Sequence, residues 1–321
     1  MHSSLYGPGG FYTRHVPAAH FRTSAQLPHF AQAIAELIRR VDTALEHPDT
    51  FTVVDVGAGS GELLNSIVSV EPLGGRLAAV AVELRERPTG LTGPIQWRAE
   101  PPQDFTGVLL ACEWLDNIAC DVVEQTTDGP RYRLVSPDTG DTAVGEAVSP
   151  EDRDWLARWW PLTRPGDQAD IGAPRDAAWR DLSSRLNAGL AVAIDYGHLA
   201  NDRPQWSTMV GYARGRDVAA VPDGNRDITA HVAMDSLGDG MLLRQRDALK
   251  ALGLTPARPS WESSHCDPVG YLQRLSAAGD IAELTDPAGL GRHWWLTQGI
   301  GIGHDTWLTG QQTRPAPGPV S

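Results

Sequence analysis

The sequence predicts an α/β fold built on a mainly parallel sheet, and three observations predict it. The run Phe51–Val56 is short, apolar and β-branched, the pattern of a strand buried on both faces. Gly57-Ala58-Gly59-Ser60-Gly61 follows it directly, and then Leu63, Leu64, Ile67 and Val68 recur at helical spacing. Three further apolar runs, 78–82, 108–112 and 190–194, are spaced along the chain with helical stretches between them. Alternation of this kind belongs to parallel sheets covered by helices.

The elements follow in order. The first thirty residues are rich in Gly, Pro, His and aromatic residues and lack periodicity, so an irregular arm is expected. Phe30, Ile34, Leu37, Ile38, Val41 and Leu45 predict an amphipathic helix over 29–46, stopped near Pro48. A strand over 51–56, a helix over 61–70 and strands over 78–82 and 108–112 come next. Between 121 and 189 the pattern changes. Residues 122–148 read as short strands with polar turns at Asp128-Gly129 and Pro137-Asp138. Residues 150–161 and 175–188 read as helices carrying Trp155, Trp159, Trp160 and Trp179. This α+β segment is expected to be an insertion forming part of a substrate-side wall. After the strand at 190–194 come an extended region, a helix over 242–252 ended by Gly253, and a helix over 268–284. The Pro/Gly-rich residues 313–321 are expected to be disordered. The division is thus an arm and helix (1–50), the main domain (51–310) and a tail (311–321).

Composition narrows the classes. The 321 residues are 41% hydrophobic and 21% charged, a globular balance. No run of about 18 apolar residues occurs, and the start MHSSLYGPGGFYTR is not basic then apolar, so neither a membrane span nor a leader is expected. Cys112, Cys120 and Cys266 are odd in number and lack metal-ligand spacing, which points to a reduced, cytoplasmic setting without structural disulfide or metal. With 27 basic and 40 acidic residues the net charge is −13. That disfavours a nucleic-acid binder held by phosphate contacts. An acidic surface suits basic partners, or simply keeps the chain soluble.

The segment from Val53 to Gly61 carries the chemistry. Its glycines let a ligand approach the main chain, and the helix beyond opens with unpaired N–H groups. It is not the dinucleotide fingerprint, because the last Gly of Gly-x-Gly-x-x-Gly would fall on Glu62. With Asp55 two positions before Gly57 and glycines at 57, 59 and 61, it resembles the first motif of Rossmann-like S-adenosylmethionine (SAM) methyltransferases. In that class the acidic residue helps position the amino-acid end of SAM, often through water. Glu83 ends the next strand, where a carboxylate can accept hydrogen bonds from both ribose hydroxyls; the plain alternative is a surface residue. The bend itself has the alternative of an ordinary turn.

Several blocks resemble the MidA-like family of SAM-dependent methyltransferases, whose mitochondrial members act as complex I assembly factors. They are LYGPGGFYTR, DVGAGSGELL, ACEWLDNIACDVV, AIDYGH and RDITAHVAM, in the family's order from about residue 5 to about residue 255. The resemblance implies a Rossmann-like class I methyltransferase fold, SAM as methyl donor held by Asp55, Gly57, Ala58, Gly59, Gly61 and Glu83, and a protein arginine as acceptor. The chain departs from the family at Ala19-His20-Phe21, where a carboxylate is missing, at Asn117-Ile118-Ala119, and at Ala233, where the family has Asp.

Arginine methylation needs carboxylates that grip the guanidinium, aim one nitrogen and receive its proton. Glu113 and Asp116 follow the strand at 108–112 and, in a helical turn, share a face. They are expected to orient the substrate, the alternative being helix capping. Asp195 ends another strand and is expected to face the pocket, with Tyr196 lining the methyl path; a hydrogen-bonded turn is the alternative. Alternation places Asp227, Thr229 and His231 on one strand face. His231 could act as a general base or be a satisfied structural group. Trp114 could wall the site or belong to the core. The rival readings are a SAM-binding assembly or interaction factor without turnover, and a methyltransferase for a small molecule with 121–189 as a lid. A protein carrying arginine is the expected partner, with no nucleic acid.

Overall fold

The computed structural model describes residues 1–14, 23–70, 72–91, 93–213 and 215–308. The departure at His20 and the tail at 313–321 lie outside them. The arm contains two one-turn helices, α1 (His2–Tyr6) and α2 (Phe11–Arg14), where irregular chain was expected. Helices this short show no periodicity. What holds them is burial of Leu5 and Phe11 against Ile228. Helix α3 (Pro28–Ala44) opens on a proline, which needs no N–H at a helix start.

Then come β1 (Phe51–Val56), α4 (Glu62–Ser69), β2 (Leu77–Val82), β3 (Ile95–Arg98) and β4 (Phe105–Cys112). Strand β3 was not expected. It is a four-residue edge strand, half polar, and so lacks the apolar run of its buried neighbours. The segment that follows holds β5 (Val122–Thr126), β6 (Gly129–Val135), β7 (Thr142–Ala147), α5 (Pro150–Trp159) and β8 (Gln168–Asp170). Its strands form a separate antiparallel sheet of order β7-β6-β5-β8. Helix α6 (Ala173–Ser183) stops short of the expected 188, because Leu186 already begins the ten-residue β9 (Leu186–Asp195). Short strands β10 (Gly197–His198), β11 (Val210–Ala213), β12 (Arg216–Val218), β13 (Asp227–Thr229) and β14 (Val232–Ala233) fill the extended region.

The chain closes with β15 (Met241–Arg244), α7 (Gln245–Ala251), α8 (Ser263–Cys266), α9 (Pro268–Thr285) and β16 (Trp294–Ile300). The helix expected over 242–252 is therefore a strand that turns into a helix at Gln245. Leu242 and Leu243 sit on opposite faces of the sheet, which a strand achieves and a helical turn does not.

The main sheet has the order β3-β2-β1-β4-β9-β16-β15. Strands β3, β2, β1, β4 and β9 run parallel, while β16 runs antiparallel to both β9 and β15. Val53, Val108, Leu110 and Val192 face α3, α4 and α7, packing on Phe30, Ile34, Leu37 and Leu64. Val54, Leu109, Ala111 and Ala191 face the other way, onto Trp179 and Leu182 of α6. Both faces are thus covered, as a parallel sheet requires. No helix among the described residues is long and apolar enough to cross a membrane.

Candidate active site

Strand order reverses between β1 and β4. From β1 the chain builds outward through β2 and β3; from β4 it builds the opposite way through β9. In open α/β sheets a crevice forms outside the C-terminal ends of the strands at such a reversal. A cavity of about 1140 Å³ opens there. Its walls are the loops that leave β1, β2, β4 and β9, together with the arm, α6, β13 and the turn before β16.

Over β1 and β2 the wall is mostly backbone. The N–H of Gly57 donates to Val82 O at 2.9 Å, which fastens the bend to the next strand. Gly57 has φ of 72°, and a Cβ there would lie 2.6 Å from Cδ1 of Trp114. At Gly59 the space is open, with Glu62 Oε2 the nearest atom to a built Cβ at 3.9 Å. Gly61 caps the start of α4 with φ of 81°, its N–H bonded to Ala58 O at 2.8 Å. Glu83 leaves β2 into the cavity. Its Oε2 accepts the N–H of Gly59 at 3.1 Å and its Oε1 that of Arg85 at 3.1 Å. Asp55 lies beneath the bend, 3% exposed. Burial, with the charges of Glu62 and Glu83 adding, pushes its carboxyl up to about 7. Among the described residues none donates a hydrogen bond to it. Asp55 and Gly61 are not part of the cavity lining, whereas Gly57, Ala58, Gly59 and Glu83 are.

Over β4 and β9 the wall is acidic and aromatic. Glu113 leaves β4 in the left-handed region, with φ of 51°, a conformation uncommon outside glycine. Its N–H is held by Ile194 O at 2.7 Å, and its Oε1 accepts the N–H of Ser24 at 3.2 Å. Burial pushes its carboxyl up to about 7, against the effect of that bond. Leu115–Asn117 then form a single 3₁₀ turn. Asp116 is 2% exposed. It accepts the phenol of Tyr196 on Oδ2 and Nδ2 of Asn117 on Oδ1 at 3.0 Å. Burial raises its carboxyl to about 6, with the Tyr196 bond opposing. The Tyr196 oxygen lies 2.9 Å from Thr229 Oγ1. Glu113, Trp114, Asp116, Asn117 and Tyr196 all line the cavity.

Asp195 does not face the cavity as expected. It is fully buried, and its carboxylate collects the N–H groups of Leu115 at 3.0 Å, Asp116 at 3.2 Å and Tyr196 at 2.9 Å. Burial and the charges of Asp116 and Glu113 raise its pKa. Its geometry is that of a clamp on the turn, the alternative read from its strand-to-loop position. The strand expected through 227–232 breaks after Thr229, so the one-face alternation does not extend to His231. Asp227, Thr229 and His231 line the cavity all the same. Burial, then Arg292, lowers the pKa of His231, so its ring is neutral near neutral pH. It packs edge-on to Tyr196, ring centroids 5.4 Å apart.

Several lining residues escaped sequence reasoning. The Tyr12 phenol lies 2.5 Å from Asn117 Oδ1 and 2.7 Å from Asp227 Oδ1. Tyr6 stacks on Tyr12 at 5.3 Å. His293 packs edge-on to Tyr196 as well, ring centroids 5.7 Å apart. Its Nδ1 sits 2.6 Å from Leu290 O and so carries the proton, which leaves Nε2 an acceptor. Beneath the wall Arg175, 1% exposed, donates to Asp116 O at 2.9 Å, His231 O at 2.9 Å and Ile118 O at 3.3 Å. The tyrosines were visible as an aromatic start, but nothing assigned them to the site. Arg175 had no signal at all.

The insertion does not line the cavity through its sheet: the lining holds no residue of β5–β8 or α5, and only Ala178, Asp181 and Leu182 of α6 with Arg185 beyond it. The β5–β8 sheet buries its own core around Val123, Trp155 and Trp160. Ala233 belongs to that core and not to the cavity.

A family model described as "Putative S-adenosyl-L-methionine-dependent methyltransferase" matches residues 75–255, more than half of the chain. A solved structure of a COG1565 superfamily member from Burkholderia thailandensis, bound to S-adenosyl-homocysteine, is similar with 24% identity and a TM-score of 0.78 over 97% of this chain and 90% of that one. An uncharacterized COG1565 superfamily protein from the same organism is similar with 23% identity and a TM-score of 0.76 over 97% of this chain and 89% of that one. At such identities the likeness establishes the fold. No curated protein matches the chain. The family match gives the fold its chemistry: the chain belongs to the SAM-dependent methyltransferase family of MidA-like proteins, with a Rossmann-like class I fold and SAM as its cofactor.

Proposed function

We propose that the chain methylates a protein side chain, arginine, using SAM. One observation carries this reading. Three carboxyl groups, Glu113, Asp116 and Asp227, line the same cavity as the glycine bend. Each is held out of water strongly enough to be pushed up to between about 6 and about 7. Among the described residues none of the three has a cation within ion-pair distance, the buried Arg175 reaching Asp116 only through its backbone carbonyl, and a guanidinium with its planar fork of donors supplies one.

The bend suits the cofactor. Its main chain is open at Gly59, a carboxylate stands beside it at Glu83, and the cavity exceeds the ~300–1000 Å³ of ordinary small-molecule sites. That leaves room for an entering side chain. In this reading Gly57, Ala58, Gly59 and Gly61 shape the seat, Glu83 accepts the ribose hydroxyls, and Asp55 acts through water on the amino-acid end. Bound SAM supplies a methyl group activated by a positively charged sulfur.

The rest falls to the chain. Glu113 and Asp116 accept the guanidinium N–H groups and aim one nitrogen. That nitrogen must shed one proton as it gains a methyl group, and the carboxylate form of Glu113 receives it. Tyr196 fixes Asp116, and Asp195 fixes the turn that carries both. Neutral His231, beside Tyr196, is available as a further proton acceptor. Trp114, Tyr6 and Tyr12 keep water from the reacting atoms. The departure at Ala233 takes nothing from this wall, since it lies outside the cavity.

Methyl-tritiated SAM tests the reading. The protein is incubated with clarified lysate, and protein is then separated from small molecules by gel filtration. Label is expected in the protein fraction and, after acid hydrolysis, in methylarginine. Label confined to small molecules, or no transfer at any pH or salt, would overturn it.

A further inference from the structure

The net charge is −13, yet three arginines gather beside one edge of the cavity, one of them, Arg292, in its lining. The pairing registers place Arg244 opposite Trp294 and Trp294 opposite Asp195. Arg244 therefore sits at the site end of the sheet, two strands from Asp195, a separation of about 10 Å. Its guanidinium lies over the Trp294 ring, 3.6 Å from the centroid, and donates to Arg292 O at 2.6 Å. Arg292 itself lines the cavity and is exposed. Arg246, two residues on, opens α7 at the same end of the sheet.

These cations are only partly compensated: the charges of Asp202 and Asp247 act on Arg244, but from beyond ion-pair distance. Among the described residues neither Arg244 nor Arg292 has a carboxylate within ion-pair distance, and Arg246 reaches Asp247 only at 3.9 Å. Their mutual repulsion is felt locally. The charges of Arg246 and Arg292 add to burial in lowering the pKa of Arg244, and Arg292 helps keep His231 and His293 neutral. An acidic chain that gathers three arginines here, one of them stacked and hydrogen-bonded in place, presents a preorganised anion-binding edge.

We propose that Arg244, Arg246 and Arg292 form a docking rim for an acidic segment of the protein acceptor, whose carboxylates flank the methylated side chain. The proposal rests on the protein-acceptor reading. The two ends of the site are complementary in opposite senses, acidic where the side chain enters and basic where its neighbours lie.

Three fluorescent 13-residue peptides test it, each with a central arginine. One carries Asp and Glu three and four residues to either side, one Asn and Gln, one Lys. Anisotropy with S-adenosyl-homocysteine-saturated protein is expected to show the acidic peptide binding at least about tenfold tighter than the neutral one at low salt. The advantage should shrink as salt rises. It should fall below about threefold in R244Q/R246Q. R292Q is read in the same way, in case the paired substitution unfolds the chain, which calorimetry with S-adenosyl-homocysteine reports. Equal binding of acidic and neutral peptides, no measurable binding of any, or an advantage that survives both variants would overturn the rim. So would tighter binding of a labelled single-stranded RNA, which would assign the edge to nucleic acid. Label transfer from SAM to these peptides is measured separately. Methylation without charge preference sinks the rim alone, whereas charge preference without methylation sinks the catalytic reading and leaves the rim.

Discussion

Oε2 of Glu83 accepts the N–H of Gly59 at 3.1 Å, so the carboxylate that ends β2 and the bend that ends β1 behave as one unit. Removing that carboxylate should both loosen the bend and delete the proposed ribose acceptor. Hydrogen bonds to charged groups contribute roughly 1.5–3 kcal/mol each. Glu83→Ala is therefore expected to weaken SAM binding by about a hundredfold, and Glu83→Gln, which keeps an acceptor oxygen, by about tenfold. Titration calorimetry measures both. Unchanged affinity in both variants would remove Glu83 from the cofactor site.

Gly57 tests the bend from the other side. Its φ of 72° is strained for any residue with a Cβ, and that Cβ would meet Trp114 at 2.6 Å. The left-handed conformation alone costs an L-residue about 1–2 kcal/mol. Gly57→Ala should lose at least that much stability in a denaturant titration and bind SAM poorly, because Trp114 must give way. The same substitution at the open Gly59 meets no such neighbour and should cost only the backbone term.

In the proposed reaction Glu113 is the residue on which transfer depends. The strain at its φ of 51° is held by the bond from its N–H to Ile194 O, and it aims the carboxylate into the cavity. Glu113→Gln is expected to lower kcat for labelled methyl transfer by about a hundredfold or more, while SAM affinity stays within about threefold. In the wild type kcat/KM should rise with pH through about 7, where the carboxyl of Glu113 ionises. Asp116 titrates in the same set, so the measured midpoint belongs to the pair. Full turnover by the Gln variant would end the assignment.

How much of this was legible beforehand follows from how each signal arises. Strands buried on both faces, such as β1 and β4, announce themselves as apolar runs, and a glycine bend between strand and helix is equally local. The carboxylates Glu113 and Asp116 could be named because they directly follow such a strand. Asp195 follows one as well, yet its side chain turns inward to three N–H groups. Sequence position gives the strand end and leaves the rotamer open. Strand β16 was invisible because two adjacent tryptophans show no alternation, although its seven residues pair fully with β9. Tyr12 and His293 come from opposite ends of the chain, and only the closed fold brings them to Asn117 and Tyr196. Arg175 acts through three backbone carbonyls, a role for which the sequence carries no pattern.

Arg175 should therefore be less replaceable than its lack of a motif suggests. It is fully buried, and its three bonds join the turn carrying Asp116 to the chain carrying His231. Arg175→Lys keeps the charge but not the fork. Removing donors from buried carbonyls costs about 1–3 kcal/mol, so a lower Tm is expected. A purely structural role would stop there. As a positioning residue, Arg175 should also show a kcat reduced by more than tenfold under conditions where the variant is folded and saturated with SAM.

The last prediction rests on a proton count. The Tyr12 phenol has one hydrogen and two acceptor neighbours, Asn117 Oδ1 at 2.5 Å and Asp227 Oδ1 at 2.7 Å. The Asn117 amide nitrogen is already turned to Asp116, so both contacts are satisfied only if Asp227 carries a proton. Burial, with Asp116 adding, pushes Asp227 up to about 7, in agreement. A carboxyl raised in the folded state stabilises the fold below its unfolded pKa of about 4, and that contribution is lost as pH rises through about 7. Asn at 227 mimics the neutral acid and cannot ionise. The stability of Asp227→Asn relative to wild type should therefore increase from pH 5 to pH 8, by up to about 2–3 kcal/mol. Buried histidines contribute equally to both proteins and cancel in the difference. Thermal unfolding of the two proteins across this range measures it, and a difference that stays flat with pH would mean that Asp227 is ionised throughout.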